Sequence, residues 1–219
     1  MKKNILAVMI IVFHLCCFPA AAEQVRQLTW IDLVPAHLLA EDPLAELTEK
    51  QKDLVYRVIY TLESLPLRGT DTEELYEEVE KTVPSLEEAG IDIKKLMAKR
   101  KQVRTTMVEE LNGRRVRIPG YLLPLEVSGS KATEFLLVPY IGACIHVPPP
   151  PPNQIIYVKV DRKNGYQSKS LYEPVRVTGV IAAKSMVKDL YLVDGSAGVD
   201  IGYSMQATLI EPYKEKAPG

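Results

Sequence analysis

The sequence predicts an α+β protein in which an N-terminal helical segment packs on a C-terminal antiparallel β-barrel. Three observations predict it. Leucine and valine recur at three- and four-residue spacing before residue 112, apolar residues alternate with others after residue 113, and two of the alternating stretches share a pattern with a glycine in mid-strand.

Residues 1–22, "MKKNILAVMIIVFHLCCFPAAA", read as a cleaved signal peptide. Lys2 and Lys3 precede an apolar run reaching Phe18, and Ala20, Ala21 and Ala22 put small residues before Glu23. The run is about 15 residues, shorter than the ~20 that a membrane-spanning helix needs. Cys16 and Cys17 lie where a lipoprotein carries its lipid, but Phe13 and His14 stand where small or aliphatic residues precede such a cysteine. Periplasmic export with cleavage after Ala22 is therefore favoured over lipid anchoring or an uncleaved anchor. No later apolar run reaches spanning length, so the mature chain is expected to hold no transmembrane segment.

Cleavage removes Lys2 and Lys3 and takes the formal charge from -1 to -3. An acidic exported protein is a poor partner for nucleic acid. Cleavage also leaves Cys144 as the single cysteine, with His37 and His146 as the histidines. One cysteine closes no internal disulfide, so the core must supply the stability.

Residues 23–112 should hold an extended segment and then helices. "LTWIDLVPAHLLA", from Leu28 to Ala40, contains the only tryptophan and breaks at Pro35, as an extended stretch docking its apolar side chains would. A helix should follow with Asp42 as N-cap and Pro43 at its first position. Leu47, Leu54, Val55, Val58, Ile59 and Leu62 supply its apolar stripe. A second, acidic helix is expected from Thr72 to Lys81, with a new turn at Pro84. A third, basic one should run from Ile93 to Leu111. Their opposite charges could face each other or a partner, although solvated faces are the simpler reading.

Residues 113–213 read as strands, with 214–219 as a tail. "RRVRIPGYLLPLEV", "TEFLLVPYI", "NQIIYVKV", "PVRVTGVIAA", "LYLVDGSAGVDI" and "MQATLIEPY" are rich in Val, Ile, Leu and Tyr, punctuated by Asn164-Gly165 and Asp194-Gly195. Five to seven strands in this span suit a small barrel or sandwich. "VRIPGYL" at Val116–Leu122 matches "VRVTGVI" at Val175–Ile181. A glycine inside a strand is used for a bulge or sharp coil, and a small barrel needs such bends. The pair of strands points to an OB-like barrel.

The candidate site is "GACIHVPPPPPNQ", residues 142–154. Five consecutive prolines, Pro148 to Pro152, lock φ and remove amide donors, which imposes a polyproline II rod of about 15 Å. Such a rod suits an exposed recognition loop flanked by Tyr140, Cys144, His146, Pro148, Pro150, Pro152, Asn153 and Gln154, with the two amides as donors and acceptors. If the stretch is extended, Cys144 and His146 share one strand face and form half of a zinc or copper site. His37 would be the third ligand, with Glu126, Glu134 and Asp161 as weaker candidates. Two further readings stand beside this one: a buried structural cysteine, and a thiol nucleophile needing a base and a lowered pKa. The chain shows no G-x-S-x-G, H-E-x-x-H, phosphate-cradling glycine loop or C-x-x-C. A non-enzymatic binding or accessory protein is therefore the leading expectation, metal binding the second and a cysteine-dependent enzyme the third.

"LTWIDLVP", "GRRVRIPGYLLPLE" and "EFLLVPYIGACIHVPPPPPNQIIYV" together resemble a family of exported proteobacterial proteins known only as a domain of unknown function. The resemblance spans about Trp30 to Tyr213. It implies an OB-like or lipoprotein-like periplasmic accessory protein, and because some members are encoded beside ABC-type export systems or metal-responsive genes, it implies an envelope partner or metal binding.

Overall fold

The structure is a computed structural model that describes residues 24–40, 44–65, 69–125, 131–144, 149–161, 163, 165–192 and 195–213. The signal-peptide reading, Asp42 and Pro43, Glu126, His146, Pro148, Asn164, Asp194 and the tail at 214–219 lie outside the described residues. No helix among the described residues is long and apolar enough to cross a membrane.

The stretch expected to be extended begins with a short strand, β1 (Arg26–Gln27), then a 3-10 turn (Trp30–Leu33) and a short helix, α1 (Ala36–Leu39). The Asp32 carboxylate accepts from the Thr29 amide at 2.7 Å and from its hydroxyl at 2.6 Å, which tightens the turn before Pro35. Helix α2 spans Glu49–Ser64 and takes Thr48 as its N-cap, later than the expected start. Thr48 Oγ1 accepts from the Gln51 amide at 3.3 Å while Gln51 Oε1 accepts from the Thr48 amide at 2.9 Å, a capping box that satisfies two end donors.

Helix α3 (Glu73–Glu88) runs through Pro84, where a break was expected. The proline removes one backbone donor, but Val79, Val83 and Leu86 keep a single face in the core shared with Val55, Val58 and Ile59 of α2. Helix α4 spans Ile93–Thr105 and ends short of the expected Leu111, which lies in a separate 3-10 turn and is fully buried in the barrel. The acidic and basic helices each pair with α2: Arg57 meets Glu78 at 2.9 Å and Arg100 meets Glu63 at 3.0 Å. Exposed pairs of this kind add little stability, so the apolar core of the trio holds it together.

The sheet comprises β2 (Arg115–Pro124), β3 (Glu134–Val138), β4 (Ile156–Lys159), β5 (Glu173–Leu192) and β6 (Gly195–Pro212), with β1 added at one edge. β2 pairs with β3 through its second half and with β5 through most of its length, closing a five-stranded barrel in the order β2-β3-β4-β6-β5. The barrel is mixed rather than antiparallel, because β4 runs parallel to β6 and β1 parallel to β2. A parallel pair needs a long crossover, and the whole β5 strand supplies it between β4 and β6.

The two matched sequence stretches pair with each other, Ile118 opposite Val177 and Gly120 opposite Val175. Their glycines do different work. At Gly179 the β5–β6 register shifts, and an added Cβ would sit 2.8 Å from Ala207 Cα, so a bulge brings two backbones together. At Gly120 the pairing is regular, and the added Cβ would lie 2.8 Å from Trp30 Cζ2. That glycine seats the tryptophan, whose Nε1 donates to the Pro119 carbonyl at 2.9 Å. β5 and β6 form one long hairpin where three separate strands were expected, because the irregularity at Ala183/Met186 bends the strand without ending it.

Both faces of the β2–β4 sheet are buried. Leu122, Phe135, Leu137, Ile156 and Val158 point into the barrel, while Leu123, Leu136, Val138, Ile155 and Tyr157 point outward into a second core. Continuous apolar runs such as "EFLLV" are what two buried faces require.

Candidate functional site

The outward core is covered by the chain's own Ala143, Tyr172, Leu190 and Val199, with Cys144 and Met186 packed against it. This decides the fate of Cys144. The stretch before it is a turn, not a strand: Gly142 has φ 84° and Cys144 itself φ 70°. A left-handed cysteine is not extended backbone, so the expected strand does not hold at Cys144 itself, and His146 lies outside the described residues. The turn is held by the Tyr172 hydroxyl, which donates to the Ala143 carbonyl at 2.6 Å.

Burial pushes the Cys144 thiol up to about 11, opposite to the shift a nucleophile needs. Cys144 is half-buried and packs against the outward core as a small apolar residue would. Among the described residues no group of three or more His, Cys, Asp and Glu is placed to hold a metal. His37 lies on α1 beside residues 106–110, whereas Cys144 packs against the outward core. Burial pushes the Glu134 carboxyl up, but the hydrogen bond from Tyr157 and the charges of Lys188 and Lys159 reverse this and leave it below its ordinary value. It serves to hold the hairpin arm, since Lys188 lies 3.4 Å from Glu134 and 4.5 Å from the centre of the Tyr157 ring. Asp161 Oδ1 accepts from the Lys163 amide at 2.9 Å.

The proline stretch is also turned inward. Pro149 is exposed but Pro150 is buried, and Pro151 (φ -54°, ψ 149°) is the last polyproline-like residue before Pro152, Asn153 and Gln154 form a 3-10 turn. Asn153 is 1% exposed, and its amide donates to the carbonyls of Val103 at 2.7 Å and Thr106 at 2.9 Å. These are carbonyls at the end of α4, so the amide serves as its cap and marks where the helix stops. Gln154 Nε2 donates to the Trp30 carbonyl at 2.9 Å. The two amide groups expected to recognise a ligand instead fasten α4 and the N-terminal segment to the barrel.

Of the expected site residues, Tyr140 remains on the surface, 42% exposed. Burial pushes its phenol up, and the Arg104 charge partly offsets this. Arg104 belongs to a groove that the sequence reading missed. Leu38 and Leu39 of α1, Leu44, Tyr56 of α2, and Leu96 and Val103 of α4 enclose a cavity of about 290 Å³. A second hollow of about 560 Å³, lined by Ile31, Pro35, His37 and Thr106 to Glu110, meets the first at Leu39. Ile31 is 59% exposed, Leu39 41% and Tyr56 53%. Tyr60, one turn further along α2, is 58% exposed. The available sequence signal was the Tyr56–Tyr60 pair on the polar side of α2.

The fold and these surfaces define the class: an α+β protein with helices and a closed, mixed five-stranded β-barrel. The chain belongs to the DUF3299 family, whose model is described as "Protein of unknown function (DUF3299)" and matches residues 30–212. It is similar to a DUF3299 family protein from Pseudomonas aeruginosa PAO1, whose crystal structure was determined at 2.45 Å, with 32% identity over 89% of this chain and 99% of that one and a TM-score of 0.50. No curated protein matches the chain.

Proposed function

We propose that this protein is a non-enzymatic binding or accessory module of the periplasm, and that it works through the groove on its helical side. The observation that carries the reading is the pair of hollows meeting at Leu39, with Ile31, Leu39 and Tyr56 exposed on their walls. Contiguous exposed apolar surface rimmed by polar groups marks interaction sites.

The barrel supports the same reading by exclusion. A closed five-stranded barrel whose first strand pairs in two halves supports an OB-like type. Barrels of that type bind ligands on the outer face of their second and third strands. Here those strands are β3 and β4, and their outer face is occupied by Tyr172, Leu190 and Val199. Export rests on the pattern of residues 1–22, and an envelope partner, such as an ABC-type export system, follows from it and from the resemblance.

The test is a photo-crosslinking amino acid placed at Tyr56 or, on the hairpin, at Val187, in cells expressing the full chain. Tyr56 should yield a discrete adduct with an envelope protein, and the mature N-terminus should be Glu23. A cytosolic, uncleaved protein removes the compartment. Equal labelling from Tyr56 and Val187 removes the groove.

A further inference from the structure

The hairpin arm covers the outer face of β3 and part of β4, but the outer face where β4, β6 and β5 run side by side stays open. Two rows of side chains cross those strands: Tyr157, Ser204 and Ala182 in one, Lys159, Gln206 and Val180 in the other. Their chain neighbours Ile181 and Met205 are buried in the barrel, as strand alternation requires. Between Ala183 and Met186 the register shifts, so Lys184 stands outside the ladder while Met186 packs on the outward core. The two rows and this irregularity enclose a cleft of about 390 Å³.

The cleft gathers positive charge and free hydrogen-bonding groups. Its described lining includes Lys159 and Lys184 and no carboxylate, and residues 157–159, 180–186 and 204–206, which supply all of it but Gly113, are described without a gap. Glu134 lies 3.8 Å from Lys159 and 3.4 Å from Lys188, whose Nζ stands 4.5 Å from the centre of the Tyr157 ring. One carboxylate therefore faces three lysines. Among the described residues no ion pair or hydrogen bond engages the Lys184 ammonium, the Ser204 hydroxyl or the Gln206 amide. A cleft of one sign draws an anion. Exposed lysines alone hold one weakly, and as point charges they accept phosphate and carboxylate alike. The floor adds what a lysine patch lacks: a hydroxyl and a carboxamide, each a donor and an acceptor, on the strand between the two cations.

We infer that this cleft is a second binding site, separate from the helical groove and independent of it, for a sugar-sized polyhydroxy compound that carries a phosphate or carboxylate. The acid group lies at Lys159 and Lys184, the hydroxyls meet Ser204 and Gln206, and the C–H face of the ring rests against Val180 and Met186. Strands β4 and β5 are two strand spacings apart, about 10 Å, a span that one ring and its acid group fill. The cleft has the size of small-molecule sites, and its few convergent polar groups fix orientation as such sites do.

The test is titration calorimetry on the purified protein at low salt with glucose 6-phosphate, glucuronate, glucose and inorganic phosphate. Glucose 6-phosphate or glucuronate should bind at least about tenfold tighter than glucose and than inorganic phosphate, and the tighter of the two tells which acid group the cleft takes. Lys184→Ala and Gln206→Ala should each weaken that binding about tenfold, whereas Lys94→Ala on α4 should leave it unchanged. Lys184→Arg, which keeps the charge, should retain most of it. Added salt should weaken it, because exposed charges carry the attraction. All four residues are exposed, so the melting midpoints of the variants should match that of the wild-type chain. Inorganic phosphate binding as tightly as the sugar acids, or an equal loss in Lys94→Ala, reveals a general lysine surface and overturns the inference. Glucose binding as tightly as its acids, or no binding of any of the four, overturns it as well.

Discussion

The molecule presents two apolar surfaces with opposite fates. The outer face of β2, β3 and β4 carries Leu123, Leu136, Val138 and Tyr157, and the chain closes it with its own Tyr172, Leu190 and Val199. The helical side carries Leu39, Tyr56 and Tyr60, and no described part of the chain buries them. Apolar area is common to both, so hydrophobicity alone does not mark the working surface. What separates them is whether the described residues cover the surface, and the proposed partner side is the one they leave open.

The comparison can be broken by cutting apolar side chains from each surface. Leu136→Ala, at 0% exposure on the closed face, should cost about 2–5 kcal/mol in a denaturant titration, and a near-neutral result would mean that the hairpin arm does not seal that face. Next comes the joint between the two regions. Tyr203 is fully buried; its hydroxyl donates to the Leu33 carbonyl at 2.8 Å and accepts from the Val108 amide at 2.6 Å. Tyr203→Phe should cost about 1–3 kcal/mol, because both backbone groups lose their partner. Amide exchange should rise around residues 106–111 more than in the strands.

The closed face should also show itself in pH dependence. Burial raises the Cys144 thiol from 9.0 to about 11. Below pH 9 folded and unfolded chains both hold the proton. Between 9 and 11 only the folded chain does, so the unfolded state binds fewer protons and stability falls as pH rises. Relative to Cys144→Ala, the wild-type chain should lose on the order of 2 kcal/mol across that window, and parallel profiles would show an exposed thiol. The smallest effect is expected on the open surface. Tyr56→Ala should change stability by no more than about 0.5 kcal/mol while reducing partner crosslinking, and a large loss of stability would place Tyr56 in the core.

Much of the barrel was legible because strand chemistry is local. Alternation in Val116, Ile118 and Leu122, the glycines at 120 and 179, and the unbroken "EFLLV" all report their faces within a few residues. Helix limits were less legible. Thr48 caps α2 by closing a box with Gln51, and Pro84 is carried through because Val79 and Leu86 are anchored on α2. The candidate site was the least legible part. Asn153 and Gln154 are polar residues beside a stiff proline run, a pattern that suits recognition as well as it suits an internal clamp. Their partners lie at Val103, Thr106 and Trp30, the last 124 positions away in sequence, and no local pattern reports so distant a carbonyl.

By itself the sequence determined the division into helices and strands, the likeness of two glycine-bearing strands and the stiffness of the proline stretch. Those properties follow from backbone sterics and from side-chain periods of two and 3.6 residues. Tertiary structure alone decided that β4 and β6 run parallel, that Cys144 turns left-handed under a hydroxyl from Tyr172, and that the prolines lead inward to cap α4. It also decided where the open surface lies. Exposure is a property of what the rest of the chain covers, and Leu39 and Leu136 differ in that respect though they are the same residue.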